Sequence, residues 1–428
     1  MILRVSPSTL SGSIEAPSSK SLSQRLIATS LLASTPSKLL NISECDDCTS
    51  AIGMSAELGA EIELGSNGIQ ITPVPLSIPT PRTGTLNAGE SGLGIRLFTP
   101  IASLSGAAID ITGEGTLLNR PQSTLINGLK KLGISVTPES GTKPPLKIDG
   151  LLKGGKIDID GSKGSQFITG LLLSLPFADE DSTIRVSNLV SRPYLEMTLE
   201  VMDNWGISYS HEQLEDIDTF KIPANQCIEG RETIVDGDWS SAATLLTLGA
   251  LCGSPELEVT GIRGTYTQAD SAIKGALLFA GYHLLGTDGG VSVSKKKPRG
   301  FNLDLTDSPD LFPTLVALAA FSKKKSTLKG VSRLHTKECD RALAITEEFA
   351  KAGVKIEVSE DIMTIFPSKI KSCRINPRGD HRIAMAAAIL GCAGAPIEIE
   401  DVECVSKSYP AFFDDLEALG GNISSAVS

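Results

Sequence analysis

A glycine that closes a helix and opens a strand returns six times along this 428-residue chain, at Gly59, Gly133, Gly206, Gly281, Gly353 and Gly420. The spacings run from 67 to 75 residues, and a period of that kind marks a repeated structural unit. Glycine fits the left-handed position that ends a helix, and the apolar residues after it begin a strand. A second signal keeps the same period. Small polar residues lead into apolar runs at Ser18-Ser19-Lys20, Gly89-Glu90-Ser91-Gly92, Gly161-Ser162-Lys163-Gly164-Ser165, Gly237-Asp238-Trp239-Ser240-Ser241, Ser308-Pro309-Asp310 and Arg378-Gly379-Asp380-His381-Arg382. The runs they open, such as Leu171-Leu172-Leu173-Ser174-Leu175, are apolar nearly all round, so these helices must be buried on every side. The second helix of each unit, as in Asn127-Gly128-Leu129-Lys130-Lys131-Leu132, is amphipathic. Each unit thus reads β-α-β-α-β-β. The fold class is α/β, six repeats at three to a domain, with sheets outside and buried helices within.

A chain of this length exceeds one ordinary core and predicts two domains. Three repeats end near the polar stretch Glu229-Gly230-Arg231-Glu232. Residues 19–234, repeats one to three, are expected to form one domain. Residues 1–18 and 235–428, an N-terminal strand with repeats four to six, are expected to form the other, with a ligand cleft between the two.

Composition narrows the partners. A formal net charge of -11 and an aromatic content of 4% argue against affinity for nucleic acid or an anionic membrane. No stretch approaches the roughly 18 apolar residues that span a bilayer, and the N-terminus lacks a signal-peptide core, so the chain reads as soluble and intracellular. Of eight cysteines only Cys45 and Cys48 form a C-x-x-C pair, far from His211, His283, His335 and His381. Two reduced structural thiols are expected there, with no metal.

Anion chemistry is the reading left. The start of a buried helix offers unsatisfied N–H groups and the positive end of its dipole. Polar side chains gather at these starts: Lys20, Ser21 and Arg25 at the first, Gly92 and Arg96 at the second, Ser165 and Gln166 at the third, Asp310 at the fifth, Asp380-His381-Arg382 at the sixth. The approaches to the second helices add Arg120, Ser191-Arg192-Pro193-Tyr194, Lys337-Glu338-Cys339-Asp340-Arg341 and Lys407. Many cations around a few carboxylates would suit two phosphorylated carboxylic acids, each phosphate carrying about -1.5 to -2 charge. Singly, each residue has an ordinary explanation. Ser18-Ser19-Lys20-Ser21 lacks the glycines of a phosphate loop. Asp310 after Pro309 reads as a helix cap, Glu338 with Arg341 as an i,i+3 pair, and His381 as structural. Lys295-Lys296-Lys297 and Lys323-Lys324-Lys325 read as solvated turns. Recurrence at equivalent places in the repeat sets the first group apart.

In order along the chain, Lys20-Ser21-x-Ser23-x-Arg25, Ser165-Gln166-Phe167, Ser191-x-Pro193-Tyr194, Lys337-Glu338-x-Asp340-Arg341, Asp380-His381-Arg382-x-Ala384 and Lys407-x-x-Pro410 resemble the successive motifs of 5-enolpyruvylshikimate-3-phosphate synthases. The resemblance runs from Ser13 to Leu416. It implies the two-domain, pseudo-threefold enolpyruvyl transferase fold. It also implies transfer of the enolpyruvyl group of phosphoenolpyruvate to the 5-hydroxyl of shikimate 3-phosphate, on the route to chorismate and the aromatic amino acids. A cytoplasmic monomer with no cofactor is expected. By the same resemblance, shikimate 3-phosphate is bound through Lys20, Ser21, Arg25, Ser165, Gln166, Ser191, Tyr194, Asp310 and Lys337. Phosphoenolpyruvate is bound through Lys20, Gly92, Arg120, Gln166, Arg341, Arg382 and Lys407. Asp310 is the implied base for the 5-hydroxyl, and Glu338 the acid that protonates the methylene carbon. Lys20 stabilises developing charge, and a tetrahedral adduct then loses phosphate. Glu338, beside Lys337 and Arg341, must be kept protonated by burial or by the bound anions.

Three positions depart from the family pattern. Glu90-Ser91-Gly92-Leu93 stands where Asn-Ala-Gly-Thr is usual, which predicts altered affinity for phosphoenolpyruvate and its mimic glyphosate. Arg333 replaces a common asparagine, and Gly164 a serine. Two rivals fit less well. The sister transferase acting on a UDP-linked amino sugar has a Lys-Asn start and a cysteine-bearing loop near the second repeat. Here Lys20 precedes Ser21, and no cysteine lies between Cys48 and Cys227. A binding protein without catalysis would be expected to lose Asp310, Glu338 or Lys20, and all three are present.

Overall fold

The computed structural model describes residues 1–74 and 82–426. The chain divides into two compact units, residues 1–17 with 236–428, and residues 18–235. The helices come in six pairs along the chain: α1 (Lys20–Leu31) and α2 (Asp46–Glu57), α3 (Gly92–Ala102) and α4 (Ser123–Lys131), α5 (Gln166–Ser174) and α6 (Arg192–Asn204), α7 (Trp239–Cys252) and α8 (Ile273–Phe279), α9 (Phe312–Ala320) and α10 (Arg341–Lys351), α11 (His381–Ala393) and α12 (Phe412–Ala418).

The first helix of each pair is the buried one. Every residue of α9 is buried, and every residue of α11 except Ala393. In one unit α3 packs on α1 and α5; in the other α11 packs on α7 and α9. Each fully buried leucine contributes about 1.5–3 kcal/mol, so these apolar helices hold the units together. Four of the small-residue approaches supply N-caps. Ser19 accepts from the Leu22 N–H, Ser91 from Gly94, Asp238 from Ser240 and Asp380 from Arg382, satisfying donors that burial would otherwise strand. The second helices are amphipathic as expected: α4 buries Leu125, Ile126 and Leu129 and exposes Lys130 and Lys131.

Six four-stranded sheets, among the described residues, repeat one plan. Thr85–Asn87 runs parallel to Ile109–Thr112, which pairs antiparallel with Lys143–Asp149, the inner strand of a hairpin whose outer strand is Ser135–Ser140. All six closing glycines adopt positive φ, from 71° at Gly206 to 103° at Gly59, where a side chain would be strained.

Three sheets are completed by strands from far along the chain. Leu10–Glu15 pairs parallel with Gly253–Thr260, and Leu3–Ser6 joins Ile397–Ile399 and Asn422–Ser425. Glu232–Ile234 pairs parallel with Ser37–Leu40. The polar stretch 229–232 leads into this last strand. Backbone pairing carries it on to Val235, whose N–H donates to the Leu40 carbonyl at 2.9 Å. Both lysine triplets are exposed, and no helix among the described residues is long and apolar enough to cross a membrane.

The approach of α3 to α5 depends on Gly170. A Cβ there would lie 2.2 Å from the Arg96 carbonyl oxygen, a backbone atom that cannot swing away. Gly170→Ala is expected to destabilise this unit by about 1–3 kcal/mol, read as a lower thermal midpoint. An unchanged midpoint would mean that the helices separate without cost.

Candidate active site

In the unit of residues 1–17 and 236–428, three carboxylates share one guanidinium. Arg341 opens α10, where the Asp340 side chain caps the Leu343 N–H at 3.1 Å. Its side chain has no exposed surface, and each nitrogen donates: Nε to Asp380 Oδ2, Nη1 to Asp310 Oδ1 and Nη2 to Glu338 Oε2, all at 2.8 Å. Asp380 divides its work, since Oδ1 also caps α11 by accepting from the Arg382 N–H at 2.9 Å. The Glu338–Arg341 pair is thus real, but it is one edge of a larger network.

Asp310 lies on the 3-10 turn Pro309–Leu311 that leads into α9. Its carboxylate does not cap the helix. It meets Lys337 Nζ at 3.1 Å and Arg382 Nη2 at 3.1 Å as well as Arg341. Burial acts to raise its pKa, but Arg382, Lys337 and Arg341 outweigh burial and hold the carboxyl well below the usual range. Arg341 responds in kind: burial would lower it, yet Asp380, Glu338 and Asp310 hold it well above its ordinary value. Burial lowers Lys337, with Asp310 opposing. Arg333 stands on the turn Val331–Arg333, lowered by burial and steadied by Asp310 and Asp307. Lys407 is buried at the end of the turn Val402–Lys407, which packs against α11. His381 is wholly buried.

In the unit of residues 18–235 most candidates sit at or near the starts of α1, α3, α5 and α6. Lys20 Nζ pairs with Asp47 Oδ2 at 3.0 Å, on α2. Arg25 is 1% exposed and lies beneath the candidates as a strut. Nη1 donates to the Ser21 carbonyl at 2.7 Å, Nη2 to the Tyr194 carbonyl at 2.9 Å and Nε to Thr198 Oγ1 at 3.0 Å. Burial brings its pKa down to about 10. Ser191, buried with φ 60°, precedes α6. Ser165 is buried at the start of α5. Arg96 Nη1 bridges the Gly92 carbonyl at 3.0 Å and Gln166 Oε1 at 2.6 Å, which fixes the amide of Gln166.

Arg120 stands apart. Its guanidinium is 9% exposed, and its Nε has no acceptor among the described residues. A buried donor without a partner is costly. Gly92 makes the room, because a Cβ there would lie 2.4 Å from Arg120 Nη1. Glu90, the departure in this loop, turns to Thr116: Oε2 accepts from the Thr116 N–H at 3.0 Å and from its hydroxyl at 2.6 Å. It clasps the turn Gly115–Asn119 that ends at Arg120. Cys45 and Cys48 open α2, both buried. The Cys48 thiol points to the Lys20 carbonyl at 3.7 Å, and burial pushes it well up.

Sequence reasoning missed Asp47 and Asp270. Asp270 Oδ2 lies 4.0 Å from Arg382 Nη1. Asp47 stands on the first turn of the second helix of repeat one and Asp270 on the approach to that of repeat four, close to the positions that Arg120, Ser191, Lys337 and Lys407 hold in the other repeats. The period itself was the signal.

Comparison with known proteins agrees over nearly the whole chain. The family described as EPSP synthase (3-phosphoshikimate 1-carboxyvinyltransferase) matches residues 5–416. A 3-phosphoshikimate 1-carboxyvinyltransferase of Methanoculleus marisnigri is 34% identical over 426 residues, covering 98% of this chain and 100% of that protein. A solved EPSP synthase from Acinetobacter baumannii superposes with a TM-score of 0.81 at 21% identity, covering 99% of this chain and 100% of that one. The enolpyruvyl transferase NikO from Streptomyces tendae gives 0.78 at 15% identity, over 100% and 99%. The two structures speak to the fold alone; the family match and the 34% relative carry the family.

Proposed function

The chain belongs to the EPSP synthase family and transfers the enolpyruvyl group of phosphoenolpyruvate to shikimate 3-phosphate, in the shikimate pathway to the aromatic amino acids; on that footing we propose which side chains carry the reaction. Asp310 is the base that takes the proton from the 5-hydroxyl of shikimate 3-phosphate. Glu338 is the acid that protonates the methylene carbon. The observation that carries this reading is their common tether: both carboxylates are hydrogen-bonded to the one buried guanidinium of Arg341.

Three cations on Asp310 make it a weak base in the unliganded protein. Anionic substrates compete for Lys337, Arg341 and Arg382. As they take those partners, Asp310 loses counter-charge and its basicity rises. Binding and activation of the base are thereby coupled. The same anions supply the negative field in which Glu338 holds a proton. Arg120, Lys20 and Lys407 complete the phosphoenolpyruvate set, with Gly92 leaving space for Arg120 and Arg96 holding Gln166. Ser21, Ser165, Ser191, Tyr194 and Lys337 serve shikimate 3-phosphate, with Arg25 supporting Ser21 and Tyr194. We read the enzyme as a cytoplasmic monomer.

Phosphate release from phosphoenolpyruvate tests the assignments. Release is expected only with shikimate 3-phosphate present, in metal-free buffer, and Asp310→Ala and Glu338→Ala are each expected to cost about 10²–10⁴ in rate. A variant that keeps the full rate loses its assigned role. Glu90 is committed to Thr116 and Leu93 is buried, so this loop lacks the amide and hydroxyl usual in the family. Inhibition by glyphosate is therefore expected to differ from that of a typical member; equal inhibition constants would remove that reading.

A further inference from the structure

Arg382 has carboxylate neighbours in both Asp310 and Asp270, and the roles above use only the first. Nη2 meets Asp310 Oδ2 at 3.1 Å, while Nη1 lies 4.0 Å from Asp270 Oδ2. Asp270 sits on the 3-10 turn Ala269–Ala272 ahead of α8 and is 2% exposed. Its Oδ2 accepts from the Ser240 hydroxyl at the start of α7, and its Oδ1 finds no donor among the described residues. The turn is tied to that of Asp310, because Ser308 Oγ donates to the Ala269 carbonyl at 2.9 Å. Gln268 pins it further, accepting from the Trp239 N–H at 3.0 Å and donating to the Gly237 carbonyl at 2.8 Å. A carboxylate buried with an empty acceptor and a stretched ion pair costs stability, so its place calls for a functional account.

We propose that Asp270 is a positioning residue for the transfer reaction, which shares the Arg382 guanidinium with Asp310 and so keeps Arg382 from closing fully on the base. The inference rests on Asp310 being that base. The groups facing Asp270 are Asp310, Arg382, Ser240 and Asp238; Lys274 on α8 instead lies over the Trp239 ring at 4.7 Å. Burial pushes the Asp270 carboxyl up to about 6, Asp310 and Asp238 push the same way, and Arg382 and Ser240 oppose. Protonated from solvent, Asp270 releases Arg382 to pair with Asp310 alone, and the base is held more tightly. Ionised, it divides the guanidinium and leaves Asp310 freer to take the substrate proton.

The test is the pH profile of kcat/KM for phosphate release, which reports the groups of the unliganded enzyme, for the wild type, Asp270→Asn and Ser240→Ala, with thermal unfolding over the same range. The wild type is expected to lose rate as pH falls through about 6. Asp270→Asn should lack that limb, with a plateau lower by about ten-fold and little change in the KM for shikimate 3-phosphate. Ser240→Ala removes a hydrogen bond to the charged form, so its limb should move to higher pH. The native pKa is raised, so the folded state binds this proton first. Wild-type stability should therefore fall as pH rises from about 4 to about 6, and Asp270→Asn should escape that loss. A profile for Asp270→Asn parallel to the wild type, at any plateau, overturns the proposal. If that variant does not fold, an unmoved limb in Ser240→Ala overturns it instead. Full activity in Asp310→Ala would refute the base assignment, whereas the unfolding curves report Asp270 whichever residue is the base.

Discussion

Arg341 has no exposed surface, yet it carries a charge and is bonded to three carboxylates. Buried alone, any of these four groups would be strongly unfavourable; together they are tolerable because each donor and acceptor meets a partner of opposite charge. The planar fork matters, since it addresses three carboxylates in three directions, which a lysine cannot do. Through this one side chain the turn before α9, the start of α10 and the cap of α11 are held in register. The proposed base and acid inherit their positions from it.

The other unit manages charge differently. There the buried Arg25 donates to the carbonyls of Ser21 and Tyr194 and to the Thr198 hydroxyl, and the half-buried Arg96 to the Gly92 carbonyl and the Gln166 amide oxygen. Those bonds involve no carboxylate, although Lys20 in the same unit is paired with Asp47, and Arg120 Nε has no acceptor among the described residues. In one unit the buried arginine meets carboxylates; in the other, Arg25 and Arg96 meet neutral oxygens. Both arrangements stand on the first turns of buried helices and on the approaches to the second ones.

Much of this was legible in the sequence. The six glycines are where the φ values are positive, and the all-round apolar runs are the buried helices, because both follow from local chemistry repeated at one period. The strands that cross between distant parts of the chain were harder. Glu232–Ile234 is only three residues long and looks polar, and its place is decided by pairing with Ser37–Leu40 rather than by its own pattern. Asp310 was legible as a site residue but not in detail, since a carboxylate after proline before a helix reads as a cap and only tertiary contacts show three cations around it. Asp47 and Asp270 went unread because a single aspartate near a helix start is common. Glu90 was visible as a departure, but its clasp on Thr116 depends on a turn some 25 residues away.

Replacing Arg341 by lysine, and measuring phosphate release together with the thermal midpoint, tests the central claim most directly. Lysine keeps a positive charge but can serve only one or two of the three carboxylates. The account predicts that Arg341→Lys folds, with a lowered midpoint, and loses activity by about 10³-fold or more, as expected when base and acid are both misplaced. A variant with near wild-type release would show that charge alone is enough there, and that Asp310 and Glu338 are positioned by something else.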